Sequence, residues 1–160
     1  MLLLARLGLR AGEVVALTLD DLDWERGDLC IRANGGHADR LPMPQDVGAA
    51  LADYLRVSRP VCDCRQVFVR LRAPQRGFAN SVAICSIVHR ALKRAGLDPA
   101  HKGAHLLRQP VATQLLRQGA SLAEIGELLR HRNPQTTMIY AKVDLDMLRP
   151  LALPWPGGVQ

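Results

Sequence analysis

The sequence has few lysines, few aromatic residues and no long hydrophobic run. Three of its 21 basic residues are lysine, and phenylalanine, tyrosine and tryptophan together make up 4% of the chain. No run of about 18 apolar residues occurs, so no membrane-spanning helix is expected. The apolar start Met1–Ala5 is followed by Arg6 and Arg10, and it lacks the basic beginning and cleavage site of a signal peptide. These absences predict a cytoplasmic protein with no membrane partner.

Cysteine is also scarce, with four residues in the chain. Cys62-Asp63-Cys64 forms a C-x-C pair, but the second pair that would complete a zinc site is missing. Cys30 and Cys85 lie on apolar faces that we expect to be buried. The four cysteines are therefore predicted to be free thiols in a reducing compartment, and neither a metal nor a cofactor is expected.

The chain is long enough for one domain, and it is basic. It has 160 residues, of which 48% are hydrophobic, as is usual for a globular protein with a sizeable core. The formal net charge is +6 and the isoelectric point is about 9.7. This charge suits a polyanionic partner such as nucleic acid.

Apolar periodicity predicts a mainly α-helical fold with a small antiparallel β-sheet, which is an α+β class. The sheet is expected over residues 22–44, around the turn Asn34-Gly35-Gly36. Ser121 and Glu124 form a capping box at the start of the last predicted helix. Residues 58–79 are expected to be irregular. The predicted helices cover residues 1–8, 11–17 and 45–57, a stripe from Ile84 to Ala95, a segment from about 111 to 119, and one that follows Ser121.

Two arginines, two histidines and one tyrosine supply the groups that attack a phosphodiester without a metal. Arginines clamp a phosphate and neutralise charge in its transition state. Histidines hold phosphate oxygens or move protons, and a tyrosine hydroxyl can act as a covalent nucleophile. The five residues are Arg10, His105, Arg108, His131 and Tyr140.

Each of these residues has a structural explanation when it is taken alone. An isolated arginine such as Arg10 is usually a surface residue. His105 and Arg108, three residues apart, share a helix face by chance in many proteins. Tyr140 alone is more often a half-buried core residue than a nucleophile. The functional interpretation therefore depends on the combination and its spacing.

Three segments of the chain carry that spacing. The first is Leu7-Gly8-Leu9-Arg10-Ala11-Gly12-Glu13 with the residues up to Leu17, and the second is His105-Leu106-Leu107-Arg108 with the residues up to Leu116. The third runs from Leu128 through His131 to Tyr140. Together they resemble the two arginine boxes and the nucleophile segment of the tyrosine site-specific recombinases, the phage integrase family. The resemblance covers the catalytic domain of that family and nearly the whole of this chain.

The resemblance implies a role for each residue. Arg10 and Arg108 would bind the scissile phosphate, and His105 would accept the tyrosine proton or hold a phosphate oxygen. His131 would hydrogen-bond a non-bridging oxygen. Tyr140 would attack the phosphate, giving a 3′-phosphotyrosyl link and a free 5′-hydroxyl.

The resemblance also implies partners and a biological setting. Glu13 would orient the arginines through a salt bridge. The partner would be double-stranded DNA, and the chain would work as a homotetramer on DNA through the segment after Tyr140. The role of the chain would be DNA recombination and integration in a prokaryotic mobile element, and the reaction would need neither ATP nor a metal.

The first departure from the family pattern is in the predicted hairpin turn. The family carries a lysine there that protonates the leaving 5′-oxygen, and the matching position in this chain is Asn34. Asparagine does not supply a proton as an ammonium does, and Arg32 and Arg40 are too basic to act as acids. His37 is the candidate for a substitute acid.

Two further departures concern the helix after Arg108 and the domain content. Gln109-Pro110 follows Arg108, so the next helix is expected either to kink or to begin near Gln109. Residues 1–152 are expected to form an N-terminally truncated recombinase catalytic domain. Residues 153–160 are expected to be an extended tail, and no N-terminal core-binding domain is expected.

The leading interpretation is a recombinase catalytic domain. Its activity would be weakened or abolished because Asn34 stands in place of the hairpin lysine. The alternative from another class is a non-catalytic DNA-binding remnant or accessory protein of a mobile element. A third interpretation is a nicking enzyme similar to type IB topoisomerases. A helix-turn-helix regulator is disfavoured because it would need neither Tyr140 nor both arginines.

Overall fold

Six α-helices and a three-stranded antiparallel sheet occupy the part of the chain that the computed structural model describes, which is residues 1–32, 38–99 and 103–130. Two 3₁₀ helices, Leu19–Asp21 and Ala104–Leu107, and a π-helical turn, Tyr54–Ser58, complete it. The chain divides into two units, Met1–Arg108 and Gln109–Gln160. The elements are α1 (Leu2–Arg6), α2 (Ala11–Ala16), β1 (Leu22–Asp23), β2 (Asp28–Arg32), β3 (Ala38–Pro42), α3 (Gln45–Asp53), α4 (Ser81–Arg94), α5 (Gln109–Arg117) and α6 (Leu122–Leu128).

The predicted fold class, mainly helical with a small sheet, is confirmed. The sheet has the order β1-β2-β3, with Leu22 paired to Leu29 and Leu29 to Leu41. Leu29, Ile31 and Leu41 are buried, whereas the residues between them are more exposed, because successive side chains of a strand point to opposite faces. The predicted turn at residues 34–36 lies outside the described residues.

The first unit has a core to which all its main elements contribute. In α4, Ile84 and Val88 are the buried residues of the apolar stripe that the periodicity predicts, and the helix contacts α2. Fifteen residues form the buried cluster: Leu3, Leu4, Leu9, Val14, Leu17, Leu22, Leu29, Ile31, Leu41, Val47, Leu51, Val67, Ile84, Val88 and Ala104. This core fixes α1 and α2, between which Arg10 lies.

The segment between the π-helical turn and α4 is largely irregular, as predicted. The Arg59 guanidinium ties it together by donating to the carbonyl oxygens of Val67 at 3.1 Å and Gln66 at 3.0 Å. The four cysteines are free, and Cys30 and Cys85, which were expected on buried faces, are partly exposed. Cys85 nevertheless packs against the core from its partly exposed position.

The second unit is described as far as Arg130. Of the two alternatives for Pro110, the structure shows a helix that begins at Gln109, where the missing proline N–H lies in the first turn. The predicted capping box at α6 is present, since Ser121 Oγ accepts from the Glu124 backbone N–H and Glu124 accepts from that of Ser121. Among residues 109–130, four buried residues form a cluster: Val111, Ala112, Ile125 and Leu129.

None of the helices in the described ranges has the length and hydropathy that a membrane span requires.

Candidate active site

Arg10 is presented by a tight turn between α1 and α2. Gly8 has a φ of +58°, a left-handed conformation that favours glycine and lets the chain reverse after α1. The next residue, Leu9, is buried in the core, and its N–H donates to the Leu3 carbonyl at 3.2 Å. Arg10 then caps the start of α2, with its side chain 42% exposed. The guanidinium is therefore accessible while its backbone is fixed.

Glu13 holds Arg10 at two points. Its carboxylate accepts from Arg10 Nη1 at 2.9 Å and from the Arg10 backbone N–H at 2.7 Å. The Glu13 side chain is only 8% exposed, so this charge-assisted pair is shielded from water on the carboxylate side. Glu13 thus fixes both the backbone and the side chain of Arg10.

Arg108 reaches the same turn from 100 residues further along the chain. It ends the 3₁₀ helix Ala104–Leu107, and its side chain is buried. Its Nη1 donates to the carbonyl oxygen of Gly8, two residues before Arg10. The structure therefore brings both arginines to one turn of the first unit.

His105 lies on the 3₁₀ helix that Arg108 ends. Its carbonyl accepts from the Arg108 N–H at 3.0 Å, and its side chain is exposed. Gly103 precedes it with a φ of +144°, and a Cβ added there would lie 3.0 Å from His105 Nδ1. A side chain at residue 103 would therefore crowd the imidazole.

The proline at position 110, which departs from the family pattern, does not separate Arg108 from the turn at Gly8. Because α5 begins at Gln109, His105 and Arg108 lie on a 3₁₀ turn rather than on a face of the following helix. Arg108 nevertheless contacts Gly8, and both residues belong to the first unit. The remaining predicted site residues, Asn34, His37, His131 and Tyr140, lie outside the described residues.

Sequence reasoning missed three features of the first unit. Gly8 and Gly103 have positive φ values, and a glycine two residues before Arg10 and another two residues before His105 was the available signal. Asp21 is a carboxylate that is only 3% exposed and that contacts Thr18 and Arg32. Nothing in the sequence pattern distinguishes Asp21 from the acidic residues around it.

The described site has the charge to bind an anion. One half-exposed and one buried guanidinium supply positive charge with fixed orientation, which suits a phosphate. His105 supplies an imidazole whose ring nitrogens can hydrogen-bond a phosphate oxygen. No group of three or more metal-ligating side chains occurs among the residues described by the structure.

Comparison with sequence families and curated proteins gives a single answer. The model of the phage integrase family matches residues 1–146. A protein of Sinorhizobium fredii that is named as an integrase/recombinase, y4rA, is 56% identical over 160 residues, covering 100% of this chain and 39% of the relative. Tyrosine recombinase XerA of Pyrococcus furiosus is 32% identical over 150 residues, covering 93% of this chain and 51% of the relative. The chain thus spans about half or less of the length of these relatives.

Solved structures show the same fold. The crystal structure of XerA recombinase matches with a TM-score of 0.74 and 25% identity, covering 96% of this chain and 57% of that one. XerH recombinase, in a post-cleavage complex with a palindromic difH substrate, matches with a TM-score of 0.76 and 24% identity, covering 97% of this chain and 44% of that one.

Proposed function

Because this chain belongs to the phage integrase family, we propose that it is the catalytic part of a site-specific DNA recombinase, which cleaves and rejoins DNA strands through a 3′-phosphotyrosyl intermediate. The observation that carries the proposal is the hydrogen bond from buried Arg108 to the Gly8 carbonyl, which places it at the turn that presents Arg10. Two arginines at one turn form a clamp for one phosphate. A recombinase needs such a clamp at the scissile position.

Cleavage proceeds by exchange of one phosphodiester bond for another. The Tyr140 hydroxyl oxygen attacks the phosphorus, the bond from phosphorus to the 5′-oxygen breaks, and the 3′-phosphate stays on the tyrosine. Arg10 and Arg108 neutralise the charge that builds up on the non-bridging oxygens. A 5′-hydroxyl from a second strand then attacks the phosphotyrosine, which reforms DNA and releases Tyr140. The energy of the bond is conserved, so no ATP is consumed.

The histidines and the hairpin complete the proton transfers. His105 accepts the tyrosine proton or holds a phosphate oxygen, and His131 hydrogen-bonds a non-bridging oxygen. The leaving 5′-oxygen needs a proton, which Asn34 does not supply. His37 is the only one of residues 33–37 with an ionisable side chain, and we assign the proton donation to it.

The proposed partner is double-stranded DNA in the cytoplasm, and the proposed active species is a homotetramer joined through the segment after Tyr140. The net charge of +6 supports binding to a polyanion. XerH and the Tn1549 transposon integrase, whose folds this chain shares, have been solved with DNA. Integration of a mobile element is the proposed biological role.

Covalent trapping tests the proposal and selects the DNA site in the same experiment. The full chain is incubated with a library of randomised duplexes that each carry a nick, so that the short cleaved fragment diffuses away and the adduct accumulates. DNA that remains bound after denaturation is sequenced. We expect one family of sequences to be recovered. Tyr140→Phe should abolish recovery.

Tyr54→Phe is the matched control, because Tyr54 is the chain's other tyrosine. Its ring lies 5.3 Å from that of Phe68, and its hydroxyl contacts the Val69 N–H, so it belongs to the fold. Recovery should persist in this variant. Tight binding of duplexes without any adduct would refute the enzyme and favour the non-catalytic DNA-binding protein, an alternative that the asparagine at position 34 supports.

A further inference from the structure

Two cysteines with a single residue between them lie in the irregular segment that precedes α4. Cys62 and Cys64 are both free thiols, and both are partly exposed. In the part of the chain that the structure describes, no third metal-ligating side chain joins them. Two thiols are too few ligands for a structural zinc site, but they are sufficient for a disulfide.

The backbone between the two cysteines favours a disulfide. Two residues of fully extended chain span about 7 Å, which is at the upper limit of the Cα separation that a disulfide bridges. The chain bends at Asp63, between the cysteines, and the bend shortens this separation. The two thiols can therefore be joined by a local adjustment of the backbone.

The sulfur of Cys64 is held by two hydrogen bonds. Its S–H donates to Gln66 Oε1 at 2.8 Å, and the sulfur accepts from the Gly77 backbone N–H at 3.1 Å. Gly77 fits this closely because it has no side chain, since a Cβ there would lie 2.9 Å from Gln66 Cγ. The structure thus fixes the Cys64 sulfur and directs a backbone donor at it.

These contacts suit a sulfur that loses its proton and attacks. A hydrogen bond strengthens when its acceptor is charged, so the Gly77 N–H supports a thiolate at Cys64. The Gln66 amide also carries an NH₂ group, which it presents to the thiolate when the amide turns over. The Arg59 guanidinium donates to the Cys64 carbonyl at 2.5 Å and offsets the charge of Asp63. Reactive cysteines occupy such electropositive, partly exposed positions.

The two cysteines differ in how firmly their surroundings are held. Directly after Cys64, the Arg65 carbonyl accepts from the Leu19 N–H at 2.9 Å, and the Val67 N–H donates to the Leu17 carbonyl at 2.9 Å. Cys62 lies before these anchoring contacts. Cys64 is therefore the fixed thiol of the pair, and Cys62 is the one that moves to meet it.

We propose that Cys62 and Cys64 form a dithiol that a hydroperoxide oxidises to a disulfide, a modification site separate from the proposed DNA chemistry. The Cys64 thiolate attacks one peroxide oxygen, the O–O bond breaks, and the other oxygen leaves and takes up a proton. Cys64 is then a sulfenic acid. The Cys62 sulfur attacks the Cys64 sulfur, the S–O bond breaks, and water leaves as the disulfide forms. In sum, two thiols are oxidised and one hydroperoxide is reduced to an alcohol and water.

The test uses the reduced full chain and a tryptic digest. Trypsin does not cleave before proline, so Arg59-Pro60 stays intact and both cysteines fall in the peptide of residues 57–65. Cys30 and Cys85 fall in separate peptides, residues 27–32 and 77–90, and serve as internal controls. The protein is treated with equimolar hydrogen peroxide, samples are alkylated over time, and the digests are analysed by mass spectrometry without reduction.

We expect the peptide 57–65 to lose two hydrogen atoms at least about tenfold faster than Cys30 or Cys85 loses its thiol. Dithiothreitol should restore the peptide. Equal rates at all four cysteines would overturn the proposal, as would disulfides that join two chains or that include Cys30 or Cys85. These controls lie within the wild-type protein, so the result does not depend on whether a variant folds.

Two serine variants assign the roles within the pair. Cys62→Ser removes the second thiol, so a sulfenic acid at Cys64 should accumulate and be trapped by dimedone. Cys64→Ser removes the attacking thiol, so Cys62 should react no faster than Cys30. Dimedone trapped on Cys62 instead, or a wild-type Cys64 that passes to sulfinic acid without forming the disulfide, would contradict the proposed sequence of steps. Failure of this inference leaves the proposed recombinase function untouched, because no cysteine belongs to that site.

Discussion

Arg108 donates a hydrogen bond to the backbone carbonyl of Gly8, 100 residues away in the sequence. The bond joins the second arginine segment to the turn that presents Arg10. Its acceptor is a backbone atom in a left-handed glycine, so the position of the carbonyl depends on the turn rather than on a side chain. The proposed phosphate clamp thus depends on backbone geometry as much as on the arginines.

Replacing Gly8 should therefore damage both stability and activity. Gly8→Ala places a Cβ at a φ of +58°, which costs about 1–2 kcal/mol for an ordinary residue. The shifted carbonyl should also slow adduct formation about tenfold or more. Urea unfolding and single-turnover adduct formation measure the two effects.

Gly12→Ala is the control for Gly8, since a Cβ there meets nothing within 4 Å and the residue lies inside α2. Alanine should raise the free energy of unfolding by up to about 1 kcal/mol and leave the rate unchanged. A Gly8→Ala protein as active as the wild-type protein would show that the turn does not set the clamp.

Removing the charge of Glu13 should slow cleavage with little effect on the fold. Glu13→Gln keeps the shape of the side chain but weakens its two hydrogen bonds to Arg10. A charge-assisted bond contributes about 1.5–3 kcal/mol, and Arg10 is partly solvated, so we expect a loss of about tenfold in single-turnover rate.

Asp46→Asn provides the comparison for Glu13, because it removes an exposed ion pair, between Asp46 of α3 and Arg6 of α1. Its rate should match that of the wild-type protein, since exposed pairs contribute little. Equal rates in the Glu13 and Asp46 variants would contradict the orienting role of Glu13.

Gly103→Ala should displace the His105 imidazole. The added Cβ would lie 3.0 Å from Nδ1, and the φ of +144° is strained for any other residue. We expect slower adduct formation together with lower stability. Gly96→Ala separates these effects, since its φ is +71° but a Cβ there meets nothing within 4 Å. It should lose stability and keep the wild-type rate, and a similar loss of rate in both variants would contradict the placement of His105.

The capping box of α6 should make stability depend on acid pH. Hydrogen bonds from the Ser121 side chain and backbone lower the pKa of Glu124 below 4.5, its ordinary value. A lowered folded-state pKa gives stability that is present above the unfolded value and is lost as pH falls through the folded one. Thermal unfolding midpoints should therefore differ between wild-type protein and Glu124→Gln at about pH 7 and converge at about pH 3. A difference of the same size at both pH values would contradict the assignment.

Local signals in the sequence were sufficient for most elements of the fold. The stripe containing Ile84 and Val88 and the capping box at Ser121 were predictable because each depends on residues within one helix. The start of α5 at Gln109 was one of two open alternatives, since proline is tolerated in a first turn and also kinks a helix.

The contacts that assemble the site were harder to predict from the sequence. The resemblance implied a salt bridge from Glu13 to the arginines, and the observed pairing with Arg10 is a local one between residues three apart. The bonds from Arg108 to Gly8 and from Arg32 to Asp21 join distant segments, and no local pattern specifies them. The roles of His131, Tyr140, Asn34 and His37 stay predictions.

Identification of the atom that carries the DNA is the most direct test of the proposed chemistry. The trapped adduct is digested with trypsin and nuclease, and the nucleotide-bearing peptide is sequenced by mass spectrometry. We predict that the peptide spanning residues 133–142 carries a 3′-linked nucleotide on Tyr140 and that the released DNA end has a free 5′-hydroxyl. A nucleotide on Tyr54 or on any other residue, or a 5′-linked nucleotide, would contradict the account.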